Sequence, residues 1–280
     1  MGSWGKRLFG ISLLLFVVGV SGLVWLFSKQ EMFAVSLKPV DEQRTITETV
    51  KSLDLATDTV DVLIERSSQP SVSVRLVGEV DERQRYQLTS DISPDGKLTV
   101  AVTEQMHINM FFWGNGHLQL HVLLPDAAYD QIALKTETGD IRSMALQSRQ
   151  ARIRTSTGDI DLDGFSGERL EVQTETGDMR MQGIKAQVSV ESSTGDVNKL
   201  ELTELVHDAD IRTDTGDVRI SVEKKPSAAR LELASDTGDV QADWPNLTYE
   251  RREEQHVTAT VGTGGPALSV RSSTGDIRIQ

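Results

Sequence analysis

Apolar and polar residues alternate along most of this chain, and one tripeptide breaks the alternation at near-regular intervals. Leu170, Val172, Thr174 and Thr176 fall on one side of such a run, and Glu171, Gln173 and Glu175 fall on the other. The pattern recurs as Ile132/Leu134/Thr136/Thr138, Ala209/Ile211/Thr213/Thr215 and Leu268/Val270/Ser272/Thr274. Strict alternation predicts half-buried strands. Each run ends in Thr-Gly-Asp, and an apolar residue follows: Ile141, Ile160, Met179, Val197, Val218, Val240 or Ile277. The glycines, at 139, 158, 177, 195, 216, 238 and 275, are 19, 19, 18, 21, 22 and 37 residues apart. A period near 20 residues marks a repeat architecture. Glycine opens backbone angles closed to other residues, and a nearby carboxylate can bond the N–H groups of the bend. Each unit reads as a strand, a sharp bend and a shorter strand. One unit cannot bury its own face, but stacked units can. The fold class expected is all-β, a β-solenoid: a single-stranded, β-helix-like stack of coils of about 20 residues. The last gap, near two periods, is expected to hold one coil with a protruding excursion.

A second regularity runs across the copies. The outward residues around each bend read Glu137 with Arg142, Ser156 with Asp161, Glu175 with Arg180, Ser193 with Asn198, and Asp214 with Arg219. Coils stacked about 4.8 Å apart would align Arg142, Asp161, Arg180, Asn198 and Arg219 in one column. No two arginines are neighbours in it, which avoids opposed like charges.

The remaining segments divide as follows. Leu8 to Phe27 is uncharged, follows Lys6 and Arg7, and has Trp4 and Trp25 near its ends. About 20 apolar residues span a bilayer, and the flanking cations keep the N-terminus cytoplasmic. Residues 1–28 are expected to be a cytoplasmic stub and a transmembrane anchor; the run is longer than a usual signal-peptide core. Residues 29–45 read as a stalk, and 46–123 as irregular strands or an N-terminal cap. The Thr-Gly-Asp solenoid occupies 124–280, and its final strand is expected to be an edge.

The net charge is −13, with 29 basic and 42 acidic residues. Residues 1–27 hold two of the cations and no acid, so the rest carries −15. Such a surface should not attract nucleic acid, nor wall anions without a bridging cation. The chain has no cysteine, which removes disulfides, thiol nucleophiles and zinc-thiolate sites.

Stacked bends would place Asp140, Asp159, Asp178, Asp196, Asp217 and Asp239 in a column of like charges. Two compensations are open. Ca²⁺ ions favour several oxygen ligands and would sit between carboxylates. Alternatively, each carboxylate bonds the N–H groups of its own turn. Phe111, Phe112 and Trp113 read either as an exposed binding tip or as the core of a cap. His117 and His121 share a strand face without a third ligand nearby in sequence. No nucleophile motif is present, and one residue type at every bend is unlike a catalytic pair, so no enzyme is expected.

The anchor, the Leu124-Pro125 opening and the repeated units resemble the LiaG-like adhesin family of bacterial envelope proteins. The units Thr155-Ser156-Thr157-Gly158-Asp159-Ile160 and Ser272-Ser273-Thr274-Gly275-Asp276-Ile277 carry the resemblance most clearly. It covers about residues 45–280. The adhesin label rests on architecture, and the family brings no catalytic residues. It implies a binding or scaffold module on the outer face of the cytoplasmic membrane, linked to envelope stress. The expected partners are the membrane, through residues 8–27, and an envelope protein or a cell-wall polymer. A carbohydrate-active β-helix enzyme is one alternative and would need acids gathered in a groove off the repeat positions. A regulatory partner of a membrane sensor is another.

Overall fold

The computed structural model describes Ser12 and residues 14–22, 37–82, 84–105 and 117–280. Ser12 and residues 14–22 are helical and exposed. Among the described residues no helix is long and apolar enough to cross a membrane, and both ends of the span expected at 8–27 lie outside them. Strand follows strand from there: β1 (Leu37–Ile46), β2 (Ser52–Thr57), β3 (Asp61–Ser67), β4 (Val72–Asp81), β5 (Arg85–Ile92), β6 (Lys97–Gln105) and β7 (His117–Pro125). Part of the stretch read as a stalk is thus a strand. The regular coils come next, as β8 (Tyr129–Thr138), β9 (Ile141–Thr157), β10 (Ile160–Thr176) and β11 (Met179–Thr194). Shorter strands complete the chain: β12 (Val197–Glu204), β13 (Ala209–Thr215), β14 (Val218–Lys224), β15 (Ala229–Thr237), β16 (Val240–Ala242), β17 (Thr248–Arg252), β18 (His256–Val261), β19 (Ala267–Thr274) and β20 (Ile277–Ile279).

The coils stack in parallel, as the repeat predicts. Thr138 lies opposite Thr157, Thr157 opposite Thr176, and Thr176 opposite Thr194. Inward positions line up in the same way. Leu134, Ile153, Val172, Val190, Ile211, Val270 and Leu233 form one buried wall, and Ile141, Ile160, Met179, Val197, Val218, Ile277 and Val240 form another. Each such side chain contributes about 1.5–3 kcal/mol on burial, so the thin core draws its stability from repetition. A second kink, absent from the sequence reading, divides the long strands. Ala145 (φ 54°), Gly164 (φ 86°) and Gly183 (φ 63°) stack there in the left-handed region.

The stacking order departs from the sequence order at both ends. The coil β19–β20 sits between β13–β14 and β15–β16. Val270 pairs with Ile211 on one side and Leu233 on the other, and Ile277 pairs with Val218 and Val240. The long last gap is therefore not one coil with an excursion. The hairpin β17–β18 closes the end by laying β18 antiparallel on β15, and the chain then returns inside the stack. The strand expected to be an edge is covered on both sides. The start is built likewise: β2–β3 lies between β6–β7 and β8–β9, with Leu55 facing Val100 and Leu134. Residues 46–123 thus supply coils as well as closure, because β5 lies antiparallel on β6, and β4 joins β1 to β7 in antiparallel fashion. Inserting the last coil also breaks the expected spacing of arginines, since Arg219 and Arg278 are direct neighbours. A register shift beside Arg180 brings Lys199, rather than Asn198, opposite it.

The bends explain the glycine. A Cβ on Gly158, Gly177, Gly195, Gly216, Gly275 or Gly238 would fall on the glycine carbonyl oxygen of the coil beneath. The backbone there is also left-handed, with φ between 130° at Gly195 and 149° at Gly216. Strain and overlap together would cost about 2–4 kcal/mol per substitution.

The inserted coil makes a prediction that the absence of native cysteine keeps clean. The pair Thr215→Cys with Thr274→Cys should cross-link readily, because the two positions are adjacent on paired strands. The pair Thr215→Cys with Thr237→Cys should not, being two strands and about 9.6 Å apart. The opposite result on non-reducing gels would restore the sequential order.

Candidate functional site

The aspartates singled out by the sequence form a hydrogen-bonded column. The amide of Asp159 donates to Oδ1 of Asp140 (3.0 Å), that of Asp178 to Asp159 (2.8 Å), and that of Asp196 to Asp178 (2.9 Å). The series continues from Asp217 to Asp196 (2.8 Å), from Asp276 to Asp217 (2.9 Å) and from Asp239 to Asp276 (3.0 Å). Each carboxylate therefore serves the next coil, not its own turn. The backbone groups of the bend are placed by the same geometry. Glycine N–H groups donate to the threonine carbonyl of the adjoining coil, as Gly158 does to Thr176 at 2.9 Å. The apolar N–H donates to the aspartate carbonyl, as Ile160 does to Asp178 at 3.0 Å. The Ser or Thr two residues before the motif threonine is buried, and Thr155, Ser272 and Ser235 donate to a glycine carbonyl of the coil below. The motif threonine, expected to face inward, is exposed in all seven copies.

At Asp140, Asp178 and Asp217 the second carboxylate oxygen is used along the same coil or the next. Arg142 donates to Asp140 (2.8 Å), Arg219 to Asp217 (3.0 Å), and Asn198 to Asp178 (2.9 Å). These contacts offset the repulsion in the column. Among the described residues no three His, Asp or Glu side chains gather as a metal site would need. The column has one member that the search for glycine missed. Asp61 accepts the amide of Asp140 at 2.9 Å. The signal lies in Thr57-Asp58-Thr59-Val60-Asp61-Val62, which matches the repeat with valine at the glycine position.

Phe111, Phe112 and Trp113 lie outside the described residues. His117 and His121 turn to different neighbours, His117 to Asp61 (3.4 Å) and His121 to Gln119 (2.6 Å). Two carboxylates meet off the repeat positions. Glu223 is pushed up by its hydrogen bond to Glu201, whose own carboxyl is held down chiefly by the hydrogen bond from Lys199.

Among the described residues, three hollows lie on one outer sheet face, carried by β8, the second half of β9 and β10, β11 and β13. Strand register sets its side chains in rows. Gln131, Gln150, Arg169 and Gln187 form one row, and Arg152, Glu171, Ser189 and Asp210 the next. Lys135, Arg154, Gln173, Glu191 and Arg212 form a third. The short Ser189 leaves a hollow of about 200 Å³ beside Arg169, Gln187 and Asp208, and another of about 240 Å³ beside Arg154 and Glu191. Glu171 borders both. The hydrogen bond from Arg152 (2.8 Å) and the charges of Arg152, Arg169 and Arg154 hold its carboxyl below the usual range. This face offers fixed charges, amides and hydroxyls in register. Sequence reading passed over it because outward polar residues on a strand look like ordinary solvated surface.

The family model described as Toastrack DUF4097 matches residues 50–199 and again 184–280. Among solved structures, a candidate adhesin from Bacteroides fragilis NCTC 9343 is 12% identical, with a TM-score of 0.46, 88% of this chain covered and 99% of that one. A candidate cell adhesion protein from Clostridium sporogenes ATCC 15579 is 12% identical, with a TM-score of 0.40 and coverage of 86% and 99%. A candidate lipid binding protein from Parabacteroides distasonis ATCC 8503 is 11% identical, with a TM-score of 0.31 and coverage of 86% and 97%. No curated protein matches the chain.

The aspartate column separates its two readings by substitution. Asp178→Asn keeps an acceptor for the Asp196 amide and should cost less than about 1 kcal/mol, whereas Asp178→Ala strands that amide and should cost about 1–3 kcal/mol. Chelator should leave the melting temperature of both proteins and the parent unchanged. A Ca²⁺-dependent rise in melting temperature that Asp178→Asn abolishes would instead make the column a metal ladder.

Proposed function

The chain belongs to the Toastrack DUF4097 family, and we propose that it works as a membrane-anchored, extracytoplasmic binding module of the bacterial envelope, of the LiaG-like kind. The observation that carries the reading is the sheet face around Glu171. Parallel stacking holds the backbone of its rows rigid, so little backbone order has to be imposed when a partner docks. A long, shallow, hydrogen-bonding surface suits an extended partner better than a small enclosed substrate. Its role is binding rather than turnover, and it needs no cofactor.

The uncharged run from Leu8 to Phe27 supports the anchor. If it spans the bilayer, residues 28–36 can hold β1 no more than about 30 Å from the membrane surface. The solenoid would then stand on the outer face with its rows open to an envelope protein or a wall polymer. A link to envelope stress would follow if occupancy of the face were sensed by a membrane partner.

Retention of the detergent-solubilised full chain on isolated cell envelopes tests the reading. Replacing Gln150 and Gln187 by alanine should reduce retention at least fivefold. Replacing Asp163 and Arg180 by alanine, on the other outer sheet, should leave it unchanged. No retention by the parent, or equal losses from both sets, would overturn the reading.

A further inference from the structure

We propose that the same face binds a linear polyanion of phosphodiester-linked units, anchored by Lys135 and Arg154; this rests on the binding-module reading above. Net charge argues against an anionic ligand, since the chain carries −13. The placement of cations reverses that locally. Lys135, Arg149, Arg152, Arg154 and Arg169 lie on three adjacent strands. Elsewhere many outward cations find an acid close by, often two residues away. Examples are Arg142 with Asp140 (2.8 Å), Lys199 with Glu201 (2.6 Å), Arg219 with Asp217 (3.0 Å) and Arg230 with Glu232 (2.7 Å). Within the cluster, Arg152 is held by Glu171 (2.8 Å), and Arg149 lies 3.9 Å from Asp130 and 3.8 Å from Glu168.

Lys135 and Arg154 lack such a close acid, although the charge of Arg154 still reaches Glu171. They face one another in register across β8 and β9, and among the described residues neither has an ion-pair partner. Like charges side by side on a sheet are unfavourable. An anion bridging both removes that cost. A phosphate suits the pair, because arginine binds it bidentately and lysine adds a point charge.

A second pair of cations stands on the same row. Arg212 is opposite Arg271, and Arg271 is likewise without an ion pair among the described residues. Arg212 is partly neutralised by Asp210 at 2.6 Å. From Arg154 to Arg212 the row takes three strand steps, through Gln173 and Glu191, or about 14 Å. A compact anion cannot reach both pairs, but a chain lying along the stack can. The hollow of about 240 Å³ between Arg154 and Glu191 lies on that path. Glu191 rejects a charge at its own position, so the ligand must carry its charges at intervals on a pliable backbone. Gln131, Gln150, Gln173 and Gln187 can both donate to and accept from the hydroxyls of such a backbone.

The test uses the full chain in detergent with poly(glycerol phosphate) as the probe, and polygalacturonate and dextran as comparisons. Binding to poly(glycerol phosphate) should weaken steeply with added salt. The double variant Lys135→Gln/Arg154→Gln should lose at least tenfold in affinity, while Arg142→Gln, on the other sheet, should lose less than twofold. The melting temperature of the double variant should equal or exceed that of the parent, because a repulsion is removed. Equal affinity for polygalacturonate or dextran would overturn the phosphate assignment, and an undiminished double variant would overturn the site. If poly(glycerol phosphate) fails to bind while the chain is still retained on envelopes, this inference falls and the binding-module reading stands. Loss of envelope retention by the parent itself would remove that reading as well.

Discussion

At each bend of this solenoid the backbone turns away from its neighbour for one residue, and the aspartate amide would be left without an acceptor. The carboxylate of the aspartate one coil below fills that gap, at 2.8–3.0 Å. A stranded amide would cost about 1–3 kcal/mol, and the penalty would recur with every coil. The rest of the motif follows from the same constraint. Glycine in the upper coil of each pair lets the coils approach closely enough for the contact, the buried Ser or Thr hydroxyl reaches a glycine carbonyl at Thr155, Ser235 and Ser272, and the following apolar residue resumes the core.

Because every bend offers the same donors and acceptors, any coil can stack on any other. That interchangeability permits the order seen here, in which β2–β3 and β19–β20 both lie inside the stack while hairpins close its ends. Among the described residues, strand edges that would otherwise pair with other chains are thereby reduced to β1, β5, β16 and β17. Two of these are short, and β1 carries Lys38, Pro39, Asp41, Glu42 and Arg44, residues that discourage further pairing.

The parallel coils, the bends and the core walls were legible in the sequence because each repeats a local rule. Alternation fixed which of Leu170, Glu171 and Val172 points inward, and glycine fixed the bend. Stacking order was not legible, since the copy around Gly275 fits equally well above Gly216 or beyond Gly238. Asp61 escaped because Val60 replaces the glycine that marks the other copies. The partner of each carboxylate escaped because a bend read alone shows its own N–H groups and not those of the coil above. The ligand face was the least legible part. Its distinguishing feature, Lys135 opposite Arg154 with no ion pair to either among the described residues, exists only once register is known.

The face and the column share one requirement, which is a backbone held rigid through each bend. Amide hydrogen exchange at the motif aspartates tests it most directly. The amides of Asp159, Asp178, Asp196 and Asp217 should exchange as slowly as those of Ile153 and Val172 in the neighbouring core strands. Exchange at the rate of exposed turn amides would contradict the carboxylate ladder, and with it the account of how this sequence stacks.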